Sequence, residues 1–291
     1  MNLLSDFVQM AAHTYIFHPP RPRPVIQSFK FDSHNVLLRT VTGDNVHCKL
    51  TTPFDTPCTI SSYTPTPKLL IFLHGNSDDL STCAAYSQWL ADTQNCNVIS
   101  ADYPGYGFSS GDRNTSEENM CQTAEAMIEF ANNKLQHPIE SIVVVGKSLG
   151  TISAIYVASQ YYSANLCGLI LFSPLASGIR CVLSTKIPLR FCKALDYVFA
   201  PSINRIGDVE CPVFIMHGIN DDLVPIQNAH ALVAAQKTKT YYPPLFVEAG
   251  HNDIEAKFAP LVIGGIQDFI RSCADRIEDK ERAESAYTDS A

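Results

Sequence analysis

Long apolar runs are absent from this 291-residue sequence: the longest, such as Leu69 to Leu73, are the length of a β-strand and too short to span a bilayer. A basic excess is absent too, because 21 Lys and Arg stand against 29 Asp and Glu, a formal net charge of −8. Nucleic-acid binding needs clustered basic residues, so no nucleic-acid partner is expected. The N-terminus has no basic n-region and no uninterrupted apolar h-region, so we do not expect a secretory signal peptide.

Metal-binding and dinucleotide-binding motifs are also missing. The ten cysteines are scattered without a C-x-x-C pair, there is no H-E-x-x-H, and the nine histidines lie apart. Gly105, Gly107 and Gly111 do not open a helix at dinucleotide spacing and are predicted to be turn glycines. We therefore expect no cofactor and no metal, and we expect reduced, mostly buried thiols.

The middle of the chain alternates between strand and helix patterns. Three β-rich stretches come first, at residues 25–31, 36–41 and 45–51. Further strands are predicted at residues 68–73, 97–101, 141–145, 168–172, 213–216 and 244–247, and helices at residues 80–93, 117–132, 149–161, 227–235 and 260–273. Nearly continuous Val, Ile and Leu strands alternating with helices predict an α/β fold, with a mostly parallel central sheet covered by helices on both faces.

This pattern predicts one domain over residues 25–274. Residues 173–210 interrupt the alternation with an apolar and basic insert, which we interpret as a small cap. Residues 275–291 hold six acidic and three basic residues and form an acidic tail, either a frayed helix or a solvated segment. Residues 1–24 are an amphipathic segment followed by a proline-rich connector.

Two alternatives stand for residues 1–17, from Met1 to Phe17. Apolar side chains recur there at helical spacing, which indicates a helix with one apolar stripe. That helix either docks on the domain or lies in a membrane interface, with Arg21, Arg23 and Lys30 close behind it. The insert contains a second such stretch, from Arg180 to Leu195, with four bases and no acid. It would either meet an acyl chain at an anionic membrane or pack the cap onto the sheet.

The most specific motif is G-K-S-L-G at residues 146–150, which follows an apolar strand pattern and precedes a helix pattern. A G-x-S-x-G in this context is the nucleophile elbow, in which the glycines allow a tight strand-to-helix turn. Ser148 is therefore the predicted nucleophile. The oxyanion hole should use the backbone N–H of Leu149 and one from the loop after the first parallel strand, where Asn76 is the predicted donor.

A serine nucleophile needs a base and an acid that orients the base. In this motif context the order along the chain is Ser, acid, His. Asp221 and Asp222 follow one strand pattern and His251 follows the next. His251 is the predicted base and Asp221 the predicted acid, with Asp222 as the alternative.

His74 and His217 each precede a glycine at the end of a predicted strand. Buried histidines at such positions usually bind loop backbone, so we predict that both do so and that neither takes part in catalysis.

Together these segments resemble the α/β-hydrolase superfamily over residues 25–273. FLHGNSDDL (72–80), GKSLGT (146–151), LFSPLASGIR (171–180), CPVFIMHGINDDLVP (211–225) and VEAGHND (247–253) are similar to the alpha/beta hydrolase domain-containing protein 17 family. The resemblance implies an α/β-hydrolase fold. It also implies that Ser148, Asp221 and His251 match that family's Ser, Asp and His.

Members of that family are serine hydrolases that remove palmitate from S-acylated proteins at membranes. The resemblance therefore implies an acyl-protein thioesterase in the cytoplasm, peripheral on membranes and not secreted. Two features depart from the family. It carries an N-terminal cluster of acylated cysteines, whereas the first cysteine here is Cys48, and Lys147 stands where the family usually has Gln. Alternative functions are a carboxylesterase, lipase or serine aminopeptidase-like hydrolase of small substrates, or a non-catalytic scaffold.

Overall fold

The computed structural model of the protein describes residues 16–20, 34–56, 62–110, 115–160, 162, 165–183, 196, 199–237 and 242–288. Its centre is an eight-stranded sheet built from β1 Asn35–Arg39, β2 Asn45–Thr51, β3 Leu69–Leu73, β4 Asn97–Ala101, β5 Ile142–Lys147, β6 Gly168–Phe172, β7 Val213–Gly218 and β8 Leu245–Val247. The helices around it are α1 Ala84–Gln94, α2 Glu117–Asn133, α3 Thr151–Ser159, α4 Gly178–Leu183, α5 Ser202–Arg205, α6 Gln227–Ala235, α7 Ile254–Lys257 and α8 Ala259–Thr288.

The strands lie in the order β1-β2-β4-β3-β5-β6-β7-β8. β1 pairs with β2 and β2 with β4 in antiparallel fashion, and every other neighbouring pair is parallel. The predicted α/β fold with a mostly parallel sheet is confirmed. Because parallel strands end at one edge, the loops after β3, β5, β7 and β8 meet there.

Successive side chains of the central strands point to opposite faces of the sheet, so each face has its own part of the hydrophobic core. In β3, Leu69, Ile71 and Leu73 pack with α2, α3 and α6, whereas Leu70 and Phe72 pack with α1 and α8. Both faces are therefore covered, which explains why the strand reads as one continuous apolar run.

Two boundaries differ from those predicted. α1 begins at Ala84 and not near residue 80, because Asp79 Oδ1 accepts from the backbone N–H groups of Ser81 and Thr82 and forms a turn there. α8 continues past Cys273 to Thr288, so the acidic segment is helical up to that residue. Arg282 supports this extension through ion pairs with Glu278 and Asp279, which lie within one helical turn of it.

The N-terminal segment is described only from residue 16 to residue 20. Ile16 and Phe17 are buried in the core, with 6% and 7% of their surface exposed, so these two residues dock on the domain. The remaining residues of the predicted amphipathic helix and the predicted strand at residues 25–31 lie outside the described residues. No helix in the described ranges is long and apolar enough to cross a membrane.

In the insert, helix α5 packs against α3 and α6. Arg180, the first residue of the apolar and basic stretch, is only 3% exposed, which at this residue agrees with packing of the insert and not with contact to a membrane. Its guanidinium forms two hydrogen bonds of 2.8 and 2.7 Å with Asp196, which also accepts from Ser177 Oγ. A desolvated cation requires such a partner, so Arg180 joins two parts of the insert and presents no charge at the surface.

Candidate active site

Ser148 follows strand β5 directly and begins a short 3₁₀ turn, Ser148–Gly150, that leads into helix α3. Its backbone φ is +51°, in the left-handed region that non-glycine residues rarely adopt. This is the strained strand-to-helix turn that the sequence motif predicts. The turn places the serine at the carboxyl edge of the sheet, where it is partly exposed.

Close packing explains the glycines on either side of Ser148. A Cβ on Gly150 would lie 2.1 Å from the carbonyl oxygen of Leu73, at the end of β3. A Cβ on Gly146 would lie 2.8 Å from Ala154 Cβ in α3. Both separations are too short for non-bonded atoms, so the tight turn depends on glycine at the two positions.

The structure brings Ser148, His251 and Asp221 into one chain of hydrogen bonds, although they lie up to 103 residues apart. Ser148 Oγ is 2.9 Å from His251 Nε2, and His251 Nδ1 is 2.7 Å from Asp221 Oδ2. Because an ionised carboxylate only accepts hydrogen bonds, Nδ1 carries a proton, and in the neutral imidazole Nε2 accepts from the serine hydroxyl. This arrangement can draw a proton from the serine as it attacks an electrophile.

Asp221 is held on both carboxylate oxygens. Oδ1 accepts from the backbone N–H of Leu223 at 3.0 Å and of Val224 at 2.7 Å, while Oδ2 faces His251. Burial by itself would raise the pKa of Asp221, but hydrogen bonds from His217, His251 and the Val224 N–H outweigh it and hold the pKa well below its usual range. Asp221 is thus ionised, as a group that orients His251 must be. Asp222 is exposed, whereas Asp221 is buried and contacts the histidine.

The loop that carries His251 is fixed by its own hydrogen bonds. The N–H of Gly250 donates to Asp253 Oδ1 over 2.6 Å, and the N–H of Asn220 donates to the Ala249 carbonyl over 2.9 Å. The second bond ties the loop after β7 to the loop after β8. Only 8% of the His251 side chain is exposed, so its ring has little room to turn away from Ser148.

The loop after β3 passes beside the serine. A Cβ on Gly75 would lie 3.7 Å from Ser148 Cβ and 3.8 Å from the Lys147 carbonyl oxygen, which is van der Waals contact. The neighbouring Asn76 is thereby close to the serine, as a second oxyanion donor would need to be. That the backbone N–H groups of Leu149 and Asn76 bind an oxyanion remains a prediction.

His74 and His217 are both fully buried and both bind loop backbone. His74 Nδ1 lies 2.8 Å from the Gly75 carbonyl oxygen and His217 Nε2 lies 2.7 Å from that of Val224, as expected. His217 Nε2 is also 3.3 Å from Asp221 Oδ2, a contact that we did not predict. No local pattern distinguishes a histidine that binds backbone alone from one that also faces a carboxylate.

Lys147, to which the sequence assigned no role, contacts Glu255 and Tyr86. Its Nζ lies 2.7 Å from Glu255 Oε1 and 4.5 Å from the centre of the Tyr86 ring. Burial, together with the Glu255 carboxylate, raises the pKa of Tyr86 well above its usual value. The lysine therefore neutralises a carboxylate in a largely enclosed setting beside the site.

Among the described residues, no group of three His, Cys, Asp or Glu side chains is placed to hold a metal. The cysteines whose side chains are described are free and buried, as predicted: Cys48, Cys83, Cys96, Cys121, Cys167, Cys211 and Cys273. Burial raises the pKa of Cys96 to about 11 and that of Cys211 to about 12, so both thiols are protonated and unreactive at neutral pH.

Comparison with known sequences shows relatives over most of the domain. A protein-family model described as "Serine aminopeptidase, S33" matches residues 64–180. Alpha/beta hydrolase domain-containing protein 17B of Xenopus laevis is 33% identical over 221 residues, which are 75% of this chain and 69% of that protein. Alpha/beta hydrolase domain-containing protein aho-3 of Caenorhabditis elegans is 35% identical over 193 residues, or 66% of this chain, but this match spans only 54% of that relative's length.

Comparison with solved structures shows the same fold at low sequence identity. The Pyrococcus furiosus esterase Pf2001 superposes with a TM-score of 0.67 at 17% identity, covering 88% of this chain and 98% of the esterase. Alpha/beta hydrolase domain-containing protein 10 from mouse gives a TM-score of 0.59 at 17% identity, covering 82% and 98%.

Proposed function

The chain belongs to the α/β-hydrolase superfamily, within the family of alpha/beta hydrolase domain-containing protein 17, and on that premise we propose that it is a serine hydrolase. One observation carries the proposal: the continuous hydrogen bonds from Ser148 through His251 to Asp221. The positive φ of Ser148 supports it further, because such strain is retained mainly at functional sites.

In the proposed reaction, Ser148 Oγ attacks an acyl carbonyl while His251 Nε2 takes the hydroxyl proton. Asp221 holds the imidazole in the required tautomer and stabilises the imidazolium that forms. The oxyanion is bound by the N–H groups of Leu149 and Asn76. His251 then donates its proton to the leaving group, and water releases the acyl group from Ser148 by the same steps in reverse.

We propose a palmitoyl-cysteine thioester as the substrate. A cysteine thiol, with a pKa of about 8.5, is a good leaving group that the described base can readily protonate. Ile219 and Leu223 support an acyl substrate. They are 43% and 57% exposed on the loop that carries Asp221, and they supply apolar surface beside the site.

Labelling with a fluorophosphonate probe tests the nucleophile. We expect the wild-type protein to be labelled and Ser148→Ala to be unlabelled. Ser173→Ala is a matched control, because Ser173 follows the neighbouring strand β6, has a positive φ of +46° and has a buried hydroxyl. A wild-type protein that is not labelled would refute the serine-hydrolase proposal and favour the non-catalytic scaffold. Labelling that persists in Ser148→Ala would show that Ser148 is not the nucleophile.

Rates on two substrates test the acyl class. The thioesterase proposal requires release of palmitate from an S-palmitoylated peptide that depends on Ser148. Hydrolysis of a short-chain p-nitrophenyl ester without release from palmitoyl-cysteine would instead identify a carboxylesterase of small substrates.

We further propose peripheral contact with anionic membranes through residues 1–15 and the bases of the insert other than Arg180. Ile16 and Phe17 are excluded because they are buried, and Arg180 because it is buried and paired. Co-sedimentation with vesicles of phosphatidylserine and phosphatidylcholine measures this contact. Binding should weaken as salt screens the bases, and an absence of binding at low salt would contradict the proposal.

A further inference from the structure

Asn76 binds the N-terminal segment with both ends of its side-chain amide. Its Oδ1 accepts from the backbone N–H of His18 at 2.8 Å, and its Nδ2 donates to the backbone carbonyl of Ile16. The amide thus pairs with backbone groups two residues apart, in the manner of a neighbouring β-strand. These hydrogen bonds join positions 58 and 60 residues apart in the sequence.

The N-terminal segment and the Asn76 amide both contact buried residues of the core. Phe17 is 7% exposed and its ring meets the edge of Phe199 in the insert, with 6.1 Å between ring centres. The fully buried Tyr106 donates its hydroxyl to Asn76 Oδ1 over 2.6 Å. Asn76 Oδ1 therefore accepts two hydrogen bonds, one from the buried Tyr106 and one from His18 in the N-terminal segment.

Asn76 directly follows Gly75, and Gly75 packs against Ser148. We propose that the Asn76 side chain and the backbone of residues 16–18 form a clamp that positions the loop after β3 as an oxyanion donor. Asn76 would then act twice, with its N–H binding the oxyanion and its side chain holding that N–H in place. The clamp rests on the proposed serine-hydrolase function. It adds the N-terminal segment to the site as a positioning element for the Asn76 N–H.

The physical reason is preorganisation. A hydrogen-bond donor stabilises a developing charge best when it is already fixed at the right place, and loss of one oxyanion donor costs about 10²–10³-fold in kcat. Loosening a donor without deleting it should cost less, about tenfold. The cost falls on the transition state and on tetrahedral adducts, while binding of the ground-state substrate is unaffected.

Two substitutions at one position separate the backbone contact from the side chain. His18→Pro removes the N–H that donates to Asn76, and His18→Ala keeps it and removes only an exposed side chain. Residue 18 already precedes Pro19, so an extended backbone is expected there and proline is compatible with it. We expect His18→Pro to lower kcat about tenfold with KM within about twofold, and His18→Ala to match the wild type.

A second pair of variants tests the clamp from the other side. Asn76→Ala removes the amide, and Asn97→Ala removes a comparable amide that donates to the Thr64 carbonyl at the opposite edge of the sheet. The readout is the affinity for a trifluoromethyl ketone. Ser148 Oγ adds to its carbonyl carbon, His251 takes the proton and the carbonyl oxygen becomes an oxyanion. We expect Asn76→Ala to weaken this inhibitor about tenfold or more and Asn97→Ala to lower only the unfolding midpoint.

The double variant His18→Pro/Asn76→Ala should lose no more than Asn76→Ala alone, since both remove one contact. If either single variant keeps wild-type kcat and inhibitor affinity, or if the losses multiply, the clamp is wrong even though Ser148→Ala abolishes labelling. If the wild type shows no label that depends on Ser148, the proposed function itself has failed. If His18→Pro does not fold, the inhibitor affinity of Asn76→Ala is sufficient to test the clamp.

Discussion

Lys147 Nζ and Glu255 Oε1 lie 2.7 Å apart and join the residue before the proposed nucleophile to helix α7, which follows the loop of His251. The two side chains are 108 residues apart in sequence and only 16% and 13% exposed. The ion pair therefore links the elements that carry Ser148 and His251 without touching either reacting atom.

Lys147→Met should leave Glu255 enclosed and unpaired. We expect the free energy of unfolding to fall by about 1–2 kcal/mol. This loss is larger than the contribution of an exposed ion pair and smaller than the cost of breaking a fully buried one. Denaturant unfolding of Lys147→Met, Glu255→Gln and the double variant measures the coupling. Lys257→Ala is the control, because its ion pair with Asp253, the residue before the same helix, is 55% and 38% exposed and should contribute little. A coupling energy near zero would contradict the assignment.

Asp221→Asn should reduce kcat/KM by about 10³–10⁴-fold, because an amide that accepts poorly no longer holds the histidine tautomer. Asp222→Asn changes the adjacent exposed carboxylate in the same way and should stay within about twofold of the wild type. Steady-state kinetics on one ester substrate compare the two. Equal losses in both variants would show that the acid has been misassigned.

The depressed pKa of Asp221 predicts a pH dependence of stability. Its usual pKa is 3.8, and the folded state lowers it, so the unfolded chain binds this proton more readily. The stabilisation is therefore complete above the usual pKa and is lost as the pH falls through the lower pKa of the folded state. Unfolding at pH 7, 5 and 3 should show the wild type and Asp221→Asn converging at acid pH. A constant gap between the wild type and Asp221→Asn would refute the prediction.

Two glycine-to-alanine changes should have opposite effects. Gly150→Ala places a Cβ 2.1 Å from the Leu73 carbonyl oxygen and should cost about 3 kcal/mol or more. Gly264→Ala, inside α8, places its Cβ where no atom lies within 4 Å and should stabilise the protein by about 0.5–1 kcal/mol. Thermal unfolding measures both changes. A tolerated alanine at Gly150 would mean that the turn after β5 is looser than described.

Arg180→Met should be strongly destabilising. Its partner Asp196 is buried and would keep a charge without a cation, which costs about 3–5 kcal/mol. Adding Asp196→Asn should restore part of that loss, because it removes the unpaired charge. Chemical denaturation of both variants checks this, and a loss below about 1 kcal/mol for Arg180→Met would indicate a surface role for the arginine.

Much of the fold could be predicted because it depends on local patterns. β4, β6 and α6 lie where apolar runs and periodicity placed them, since such runs can be buried only in a covered parallel sheet. α8 was predicted too short, because ion pairs such as Arg282 with Glu278 extend a helix that has little apolar pattern there.

The sequence by itself determined that Ser148 and His251 each follow a strand. The glycines around Ser148 and the apolar strand pattern before each residue are local features of the chain. Only the tertiary structure showed that Asp221 faces His251, that Lys147 pairs with Glu255 and that the backbone of Ile16 and His18 binds Asn76. Pattern and turn chemistry act over a few residues. Contacts between groups tens of residues apart exist only once the sheet has brought the ends of its strands to one edge.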